Sequence, residues 1–427
     1  MRALLLEESA MELIATHGQL FVILACIFGL FMAWGIGAND VANAIGTSVG
    51  SKALTVKQAI FVAVVFEFSG AFLAGGEVTE TIRKGLFDIS AIEDHADLLV
   101  FGMLGSLLAA GTWLLIASFK GWPVSTTHSL VGAVVGFAAV GISMEAVNWS
   151  EVGNIAASWV VSPVVAGSIS YVLFRSIQIF ILNKEDPLAQ SKFIVPWYIM
   201  MAGFVIAMVT LLKGLKHLGF DLTFAQAAGY SLLISIVVMI IGFFIVNNTI
   251  KKQIAANGSI DKVFAVLMVF TACAMAFAHG SNDVANAVGP VAAIYGVVSS
   301  GGMVTSASSV PMWILLVGAV GIVVGLISFG HRVIATIGSG ITELTPSRGF
   351  AATLATAITV VVASATGLPV SSTQILVGAI LGVGLAVGGE SLNYRKVGSI
   401  FVSWLVTLPA GATLSIIFFF IFRAIWG

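Results

Sequence analysis

An aspartate flanked by two asparagines occurs twice in this chain, each time inside strongly apolar sequence. Residues 37–46 read Gly-Ala-Asn-Asp-Val-Ala-Asn-Ala-Ile-Gly and residues 280–289 read Gly-Ser-Asn-Asp-Val-Ala-Asn-Ala-Val-Gly, identical at eight of ten positions at an offset of 243. In Asn-Asp-x-x-Asn the aspartate and the second asparagine stand at i and i+3. That sets Asp40 with Asn43, and Asp283 with Asn286, about 5–6 Å apart on one helix face. Carboxylate, amide carbonyl and any freed main-chain carbonyl make an all-oxygen ligand set, which suits a hard cation. Na+ is the natural candidate and protonation of the same carboxylates the alternative. The lack of a Cys/His cluster argues against zinc-type ligation.

A second motif follows each copy. Trp122-Pro-Val-Ser-Thr-Thr-His-Ser-Leu-Val-Gly-Ala-Val-Val-Gly-Phe137 matches Leu368-Pro-Val-Ser-Ser-Thr-Gln-Ile-Leu-Val-Gly-Ala-Ile-Leu-Gly-Val383 at nine of sixteen positions. Proline suits the first turn of a helix. The hydroxyls of Ser125, Thr126 and Thr127, and of Ser371, Ser372 and Thr373, then stand beside unpaired amides and the partial positive charge of a helix start. This combination favours an anion. Plain N-capping is the bland alternative, and duplication beside an acidic motif counts against it. His128 and Gln374 hold equivalent places and share only hydrogen bonding, so neither needs to be ionised. Asp40 to Ser125 is 85 residues and Asp283 to Ser371 is 88, which indicates one fold unit used twice.

Within the apolar segments, clear charges are nearly confined to Asp40, Glu67 and Asp283, and no lysine or arginine sits at comparable depth. A carboxylate at the bilayer centre costs about 2.5–3.5 kcal/mol on insertion scales and marks a functional site by default. Glu67 is therefore a further coupling candidate. His279 has a weaker claim, because the first copy carries Ile36 at its place. Trp113, Trp122, Trp159, Trp197, Trp313 and Trp404 read as packing or interface-belt residues.

The elements that position these side chains must cross a membrane. The 427 residues are 59% hydrophobic and 9% charged, with a mean hydropathy of +1.07, whereas soluble domains carry about 25% charged residues. On a ruler of about 20 apolar residues per span, the segments are 20–50, 54–75, 98–119, 123–142, 152–182, 194–212, 224–247, 263–298, 312–329, 349–366, 369–389 and 397–426. The fold class is an all-α integral membrane protein. About twelve transmembrane helices form two inverted-topology repeats, with broken helices or re-entrant hairpins at the midplane. The divisions are 19–182 for the first repeat, 183–262 for a central linker with two extra helices, and 263–427 for the second repeat. Segments 20–50 and 263–298 are too long for one straight helix, and Gly35, Gly37 and Gly280 predict a break beside each aspartate. Seven crossings precede the second repeat, so the halves are expected to be inverted, provided each motif segment crosses once. Connections after odd-numbered segments hold 13 of the 19 Lys/Arg, which places both termini, and the acidic loop 77–97 with Arg83 and Lys84, outside.

The net charge of −1, without Lys/Arg blocks, gives no nucleic-acid signal. Cys26 and Cys273 form no CxxC pair or disulfide framework. The N-terminal stretch has Glu7, Glu8 and Glu12 with one arginine, unlike the basic start of a cleavable signal peptide. The polar connections 183–192 and 247–262 are too short to fold alone.

The two motifs, each present twice in the same order, resemble the inorganic phosphate transporter (PiT) family over nearly the whole chain. The resemblance implies a cell-membrane symporter that imports inorganic phosphate with Na+ or H+, built as an inverted repeat with external termini. It assigns Asp40, Asn43, Asp283 and Asn286 to Na+, and Ser125, Thr126, Thr127, Ser371, Ser372, Thr373, Gln374 and His128 to phosphate. No other cofactor is implied, and the partners are phosphate, Na+ and the lipid bilayer, with a homodimer compatible and no nucleic acid. Gln374 departs from the histidine often found there, and Thr353 from a glutamate, which tilts coupling towards Na+. An H+-coupled transporter or a sulfate permease of the same family is the near alternative. A channel sits poorly with two inverted halves around one site, and an enzyme would rest on His128 with Ser125 and Ser129, a cluster the second copy lacks.

Overall fold

The computed structural model describes residues 2–76, 86, 95–214, 222–256, 258–304, 310–366, 368–390 and 392–427. The acidic loop expected outside lies almost wholly beyond these. Thirteen α-helices are described: α1 (Arg2–Asn39), α2 (Ala42–Gly50), α3 (Val56–Ala74), α4 (Ala96–Lys120), α5 (Thr126–Phe137), α6 (Trp149–Ile177), α7 (Pro187–Val209), α8 (Phe224–Ala255), α9 (Asp261–Ser299), α10 (Met312–Gly340), α11 (Pro346–Ala365), α12 (Ser372–Val387) and α13 (Tyr394–Trp426). There is no strand among the described residues.

Polar side chains start the helices where the apolar runs begin. Thr55 with Gln58 and Thr223 with Gln226 form capping boxes for α3 and α8, while Asn148 and Asn393 cap α6 and α13. Ten helical stretches are long and apolar enough to span a bilayer. The remaining two, Thr126–Ile142 and Ser372–Val387, fall short. At 1.5 Å per residue they rise about 24–26 Å, against a hydrocarbon core of about 30 Å. Each is the second arm of a helical hairpin. Gly121, in the left-handed conformation, ends α4, and Gly102 on α4 lies against Phe137 on α5, so the arms run antiparallel. Helices α11 and α12 pack as the equivalent pair.

The packing is reciprocal between the halves. Helix α1 packs on α10 as α9 packs on α3; α1 packs on α4 as α9 packs on α11; α5 packs on α13 as α12 packs on α6. The halves also run in opposite directions. Gly18 of α1 lies against Val298 of α9 and Gly29 against Val291, and Asp40 meets Asp283, so α1 and α9 are antiparallel. A motif segment paired with a neighbour into a hairpin adds two crossings or none. The odd count that predicts inversion therefore survives. Helices α7 and α8 pack chiefly on each other, and α8 turns Val237, Ile241 and Phe244 outward as a lipid-facing side.

The expected break occurs in the first copy only. Asn43 and Ala44 bond to the carbonyls of Asp40 and Val41, three residues back, and the α-helical ladder is interrupted between α1 and α2. Helix α9 instead runs unbroken through Asn282 and Asp283 for 39 residues. Its relief comes later, at Pro290, which has no N–H to offer the carbonyl of Asn286 four residues back. The glycines serve close approach. A Cβ on Gly37 would collide with the carbonyl of Ile322 on α10, and one on Gly280 with the carbonyl of Glu67 on α3. These two crossings are equivalent, and they place Ile322 where the other half has Glu67.

Candidate functional site

The motifs converge where the two hairpin tips meet the middle of α1–α2 and of α9. Asn39 fixes the first tip: its amide donates to Ser118 Oγ (3.2 Å) and the Trp122 carbonyl (2.9 Å), and its Oδ1 accepts from the Val124 amide (3.2 Å). Ser125 and Ser371 cap α5 and α12, accepting from the amides of His128 (3.2 Å) and Gln374 (3.3 Å). Their hydroxyls are thus engaged in local structure. The next position in each tip reaches an aspartate of its own half: Thr126 donates to Asp40 Oδ2 (2.8 Å) and Ser372 to Asp283 Oδ2 (3.0 Å).

The third position crosses between halves. Thr127 Oγ1 donates to the Val370 carbonyl (3.0 Å), and Thr373 Oγ1 lies 2.7 Å from Asp40 Oδ1 and 3.3 Å from the Val124 carbonyl. The asparagines cross too. Asn43 donates to Thr373 (2.8 Å) and to Asp40 of its own motif, and Asn286 to Thr126 and Thr127 (both 3.3 Å). The Asp, Asn, Ser, Thr, His and Gln residues of the two motifs are at most 6% exposed, so the structure gathers the candidate side chains of both motifs into one buried cluster.

Glu67 and His279 join it. His279 Nδ1 lies 3.0 Å from Glu67 Oε2, and its Nε2 lies 3.0 Å from Asp283 Oδ2, both pairs fully buried. In the opposite half the same places hold Ile322 and Ile36. The sequence underrated His279 because that asymmetry weakened its claim, whereas in space it is the one ring between two carboxylates. Ligand atoms of Asp40, His279 and Asp283 lie within 4.8 Å of one another, close enough to share an ion. Thr353 sits beside the cluster, bonded to Thr47 (2.6 Å) and the Gly349 carbonyl (2.8 Å).

Two tryptophans that read as packing residues also belong here. The His128 ring lies over Trp159 with centroids 3.8 Å apart, and Trp404 is 4% exposed beside the same histidine. By contrast Trp197 is exposed, and Trp122 carries Lys120 over its ring. A signal was available: Trp159 and Trp404 are 245 residues apart, close to the 243 and 246 that separate the paired motifs.

What remains unpaired indicates the ligand chemistry. Asn43 Oδ1, Asp283 Oδ1, Asn286 Oδ1 and Glu67 Oε1 are buried oxygen acceptors with no partner. Buried polar groups are ordinarily hydrogen-bonded, so four orphan oxygens in one cluster fit a bound hard cation. At the tips, the first amides of α5 and α12 have no carbonyl a turn back to bond, which leaves donors of the kind that suit an anion.

A model of the phosphate transporter family matches residues 36–415. The chain belongs to that family. It is 51% identical over 423 residues to a protein of Haemophilus influenzae described as a phosphate permease, covering 97% of this chain and all of the relative. It is 43% identical to the chloroplastic inorganic phosphate transporter 2-1 of Arabidopsis thaliana, over 93% of this chain and 72% of that protein. A solved structure of a protein described as the sodium-dependent phosphate transporter superposes with a TM-score of 0.85 at 40% identity, covering 95% of this chain and 99% of that one. A phosphate transporter family moves its substrate without covalent chemistry, and the chain is not an enzyme.

Proposed function

We propose that the protein is a symporter that imports inorganic phosphate on a Na+ gradient, by alternating access of two inverted repeats, 19–182 and 263–427, around the shared site. The observation that carries the coupling is the set of four partnerless buried oxygens on Asn43, Asp283, Asn286 and Glu67. Na+ would be held by Asp40, Asn43, Asp283 and Asn286, with Glu67 as an additional acceptor. The sodium dependence ascribed to the superposing transporter points the same way.

Phosphate would lie against the tips, with the first amides of α5 and α12 and the hydroxyls of Ser125, Thr126, Thr127, Ser371, Ser372 and Thr373, beside His128 and Gln374. The logic is electrostatic. Within the described site there is no arginine or lysine to hold a dianion, and the nearest full charges are carboxylates. An anion can approach them only with cations between, so uptake is obligatorily coupled. The loop charges favour external termini in the cell membrane, and an oligomer is compatible with this scheme.

The test is uptake of labelled phosphate into proteoliposomes with Na+ and H+ gradients imposed separately. Accumulation under the Na+ gradient alone supports the reading. Accumulation only under the H+ gradient replaces Na+ by H+, and absence of competition by unlabelled phosphate removes the substrate assignment.

A further inference from the structure

Four polar side chains around the tips have no task in holding a cation: His128, Gln374, Trp159 and Trp404. Trp159 lies eleven residues beyond Asn148, the cap of α6, and Trp404 eleven beyond Asn393, the cap of α13, so the indoles occupy equivalent places in the two halves. Helix α6 packs along α12 and α13 along α5, which sets one indole-bearing helix beside each tip. His128 draws the group together, its ring tilted by 44° against that of Trp159 and facing Gln374 and the main chain of Trp404. His128, Trp404 and Gln374 are 2%, 4% and 6% exposed. Yet both ring nitrogens of His128, Oε1 of Gln374 and the N–H of both indoles are buried without a formed hydrogen bond.

Such a set is mixed in a telling way. The indoles can only donate; Gln374 Oε1 can only accept; a neutral imidazole does one of each. A bare tetrahedral dianion, which only accepts, leaves the acceptors unmatched. A hydrogen-bearing oxyanion matches all of them. Resting on the phosphate reading above, we propose that these four side chains form the selective wall of the substrate site. The indole N–H groups of Trp159 and Trp404 donate to phosphate oxygens, and Gln374 Oε1 with one His128 nitrogen accepts from a P–OH. At neutral pH inorganic phosphate and arsenate keep at least one such hydroxyl and sulfate keeps none. The three anions are otherwise alike in shape, and sulfate carries the same charge as the hydrogen phosphate dianion, so hydrogen bonding is the available discriminator. Sites built to bond a substrate hydroxyl reject analogues that lack it far more strongly than shape alone permits.

The experiment is labelled phosphate uptake into proteoliposomes under an inward Na+ gradient, competed by unlabelled arsenate or sulfate. In the natural protein arsenate competes and about a hundredfold excess of sulfate does not, as expected when an unpaired buried acceptor faces the wrong ligand. Trp159→Phe and Trp404→Phe keep the ring and lose the donor. Each raises the half-saturating phosphate about tenfold, the scale of one hydrogen bond to a charged group, and leaves the half-saturating Na+ unchanged. Trp404→His, which restores an N–H, recovers phosphate affinity, a rescue that a packing role would not produce. Gln374→Met admits sulfate as a competitor. Unchanged phosphate half-saturation in both phenylalanine variants, no rescue by Trp404→His, or sulfate still excluded from Gln374→Met each overturns the assignment. Lack of phosphate uptake by the natural protein under any gradient instead overturns the functional reading on which it rests.

Discussion

His279→Ile removes the one ring that separates two buried carboxylates, and its cost can be worked from the geometry. The imidazole stands 3.0 Å from Glu67 Oε2 and 3.0 Å from Asp283 Oδ2, with no more than 1% solvent exposure on any of the three side chains. Deleting one member of a buried pair costs about 3–5 kcal/mol, because the remaining charge stays buried without a partner. Here two carboxylates are left facing each other, so the upper part of that range applies. Glu67→Ile is milder, since His279 keeps Asp283. The double variant, Glu67→Ile with His279→Ile, installs what the opposite half already has at those places, Ile322 and Ile36. It should recover about 2–3 kcal/mol relative to His279→Ile alone, since apolar replacement of a buried pair is often neutral. The assay is thermal unfolding of the four proteins in detergent, without Na+, read as a double-mutant cycle. The apparent Tm should fall by several degrees in His279→Ile and rise again in the double variant. Losses that simply add, with the double variant the least stable of the four, would refute the idea that the triad is an electrostatic unit on an apolar scaffold.

Other outcomes follow from the same geometry. Asp40→Asn and Asp283→Asn should each abolish or strongly weaken Na+-dependent uptake while leaving membrane expression largely intact; wild-type Na+ dependence in both removes the cation assignment. Gly37→Val and Gly280→Val drive a branched side chain into the carbonyls of Ile322 and Glu67. Overpacking of this kind costs about 1–3 kcal/mol or more, so the yield of monodisperse protein should drop, whereas Gly398→Val, with open space around its Cα, should not lower it. Gly427→Cys should react with a membrane-impermeant thiol reagent added outside intact cells, and labelling only after permeabilisation would reverse the topology.

Much of the architecture was legible because two kinds of signal are local. Apolar runs of about 20 residues report spans, and the paired motifs report a duplicated unit. The convergence of Asp40, Thr126, Asn286 and Thr373 was legible only as a set of candidates, since nothing in spacing says that Thr373 crosses to the other half's aspartate. The break after Asp40 and the continuity of α9 could not be separated by glycine content. In both copies the glycine is used to bring helix backbones together, and Pro290 supplies the freed carbonyl in the second. His279 was given too little weight because its partner Glu67 is 212 residues away, and a residue without a counterpart in the other repeat looks incidental. The tryptophans escaped for the opposite reason: recurring at the repeat offset, they had the signal, but an apolar residue type in a span reads first as packing.

The bonds between the tips bear on a problem every coupled carrier faces, the slippage of ions across the membrane without cargo. Thr127 sits on the Val370 carbonyl, and Thr373 beside the Val124 carbonyl. Withdrawing either hairpin therefore strips a donor and an acceptor from both, at about 1 kcal/mol or more for each buried bond left unmade. Neither tip can part from the other on its own account. Na+ alone can neutralise the aspartates and bind a freed carbonyl, but it offers no acceptor to the hydroxyl donors uncovered at the tips; an oxyanion does. Under the symport proposed above, a half-loaded carrier would be held shut by the same contacts that a full load can replace, and the gradient would be conserved for transport.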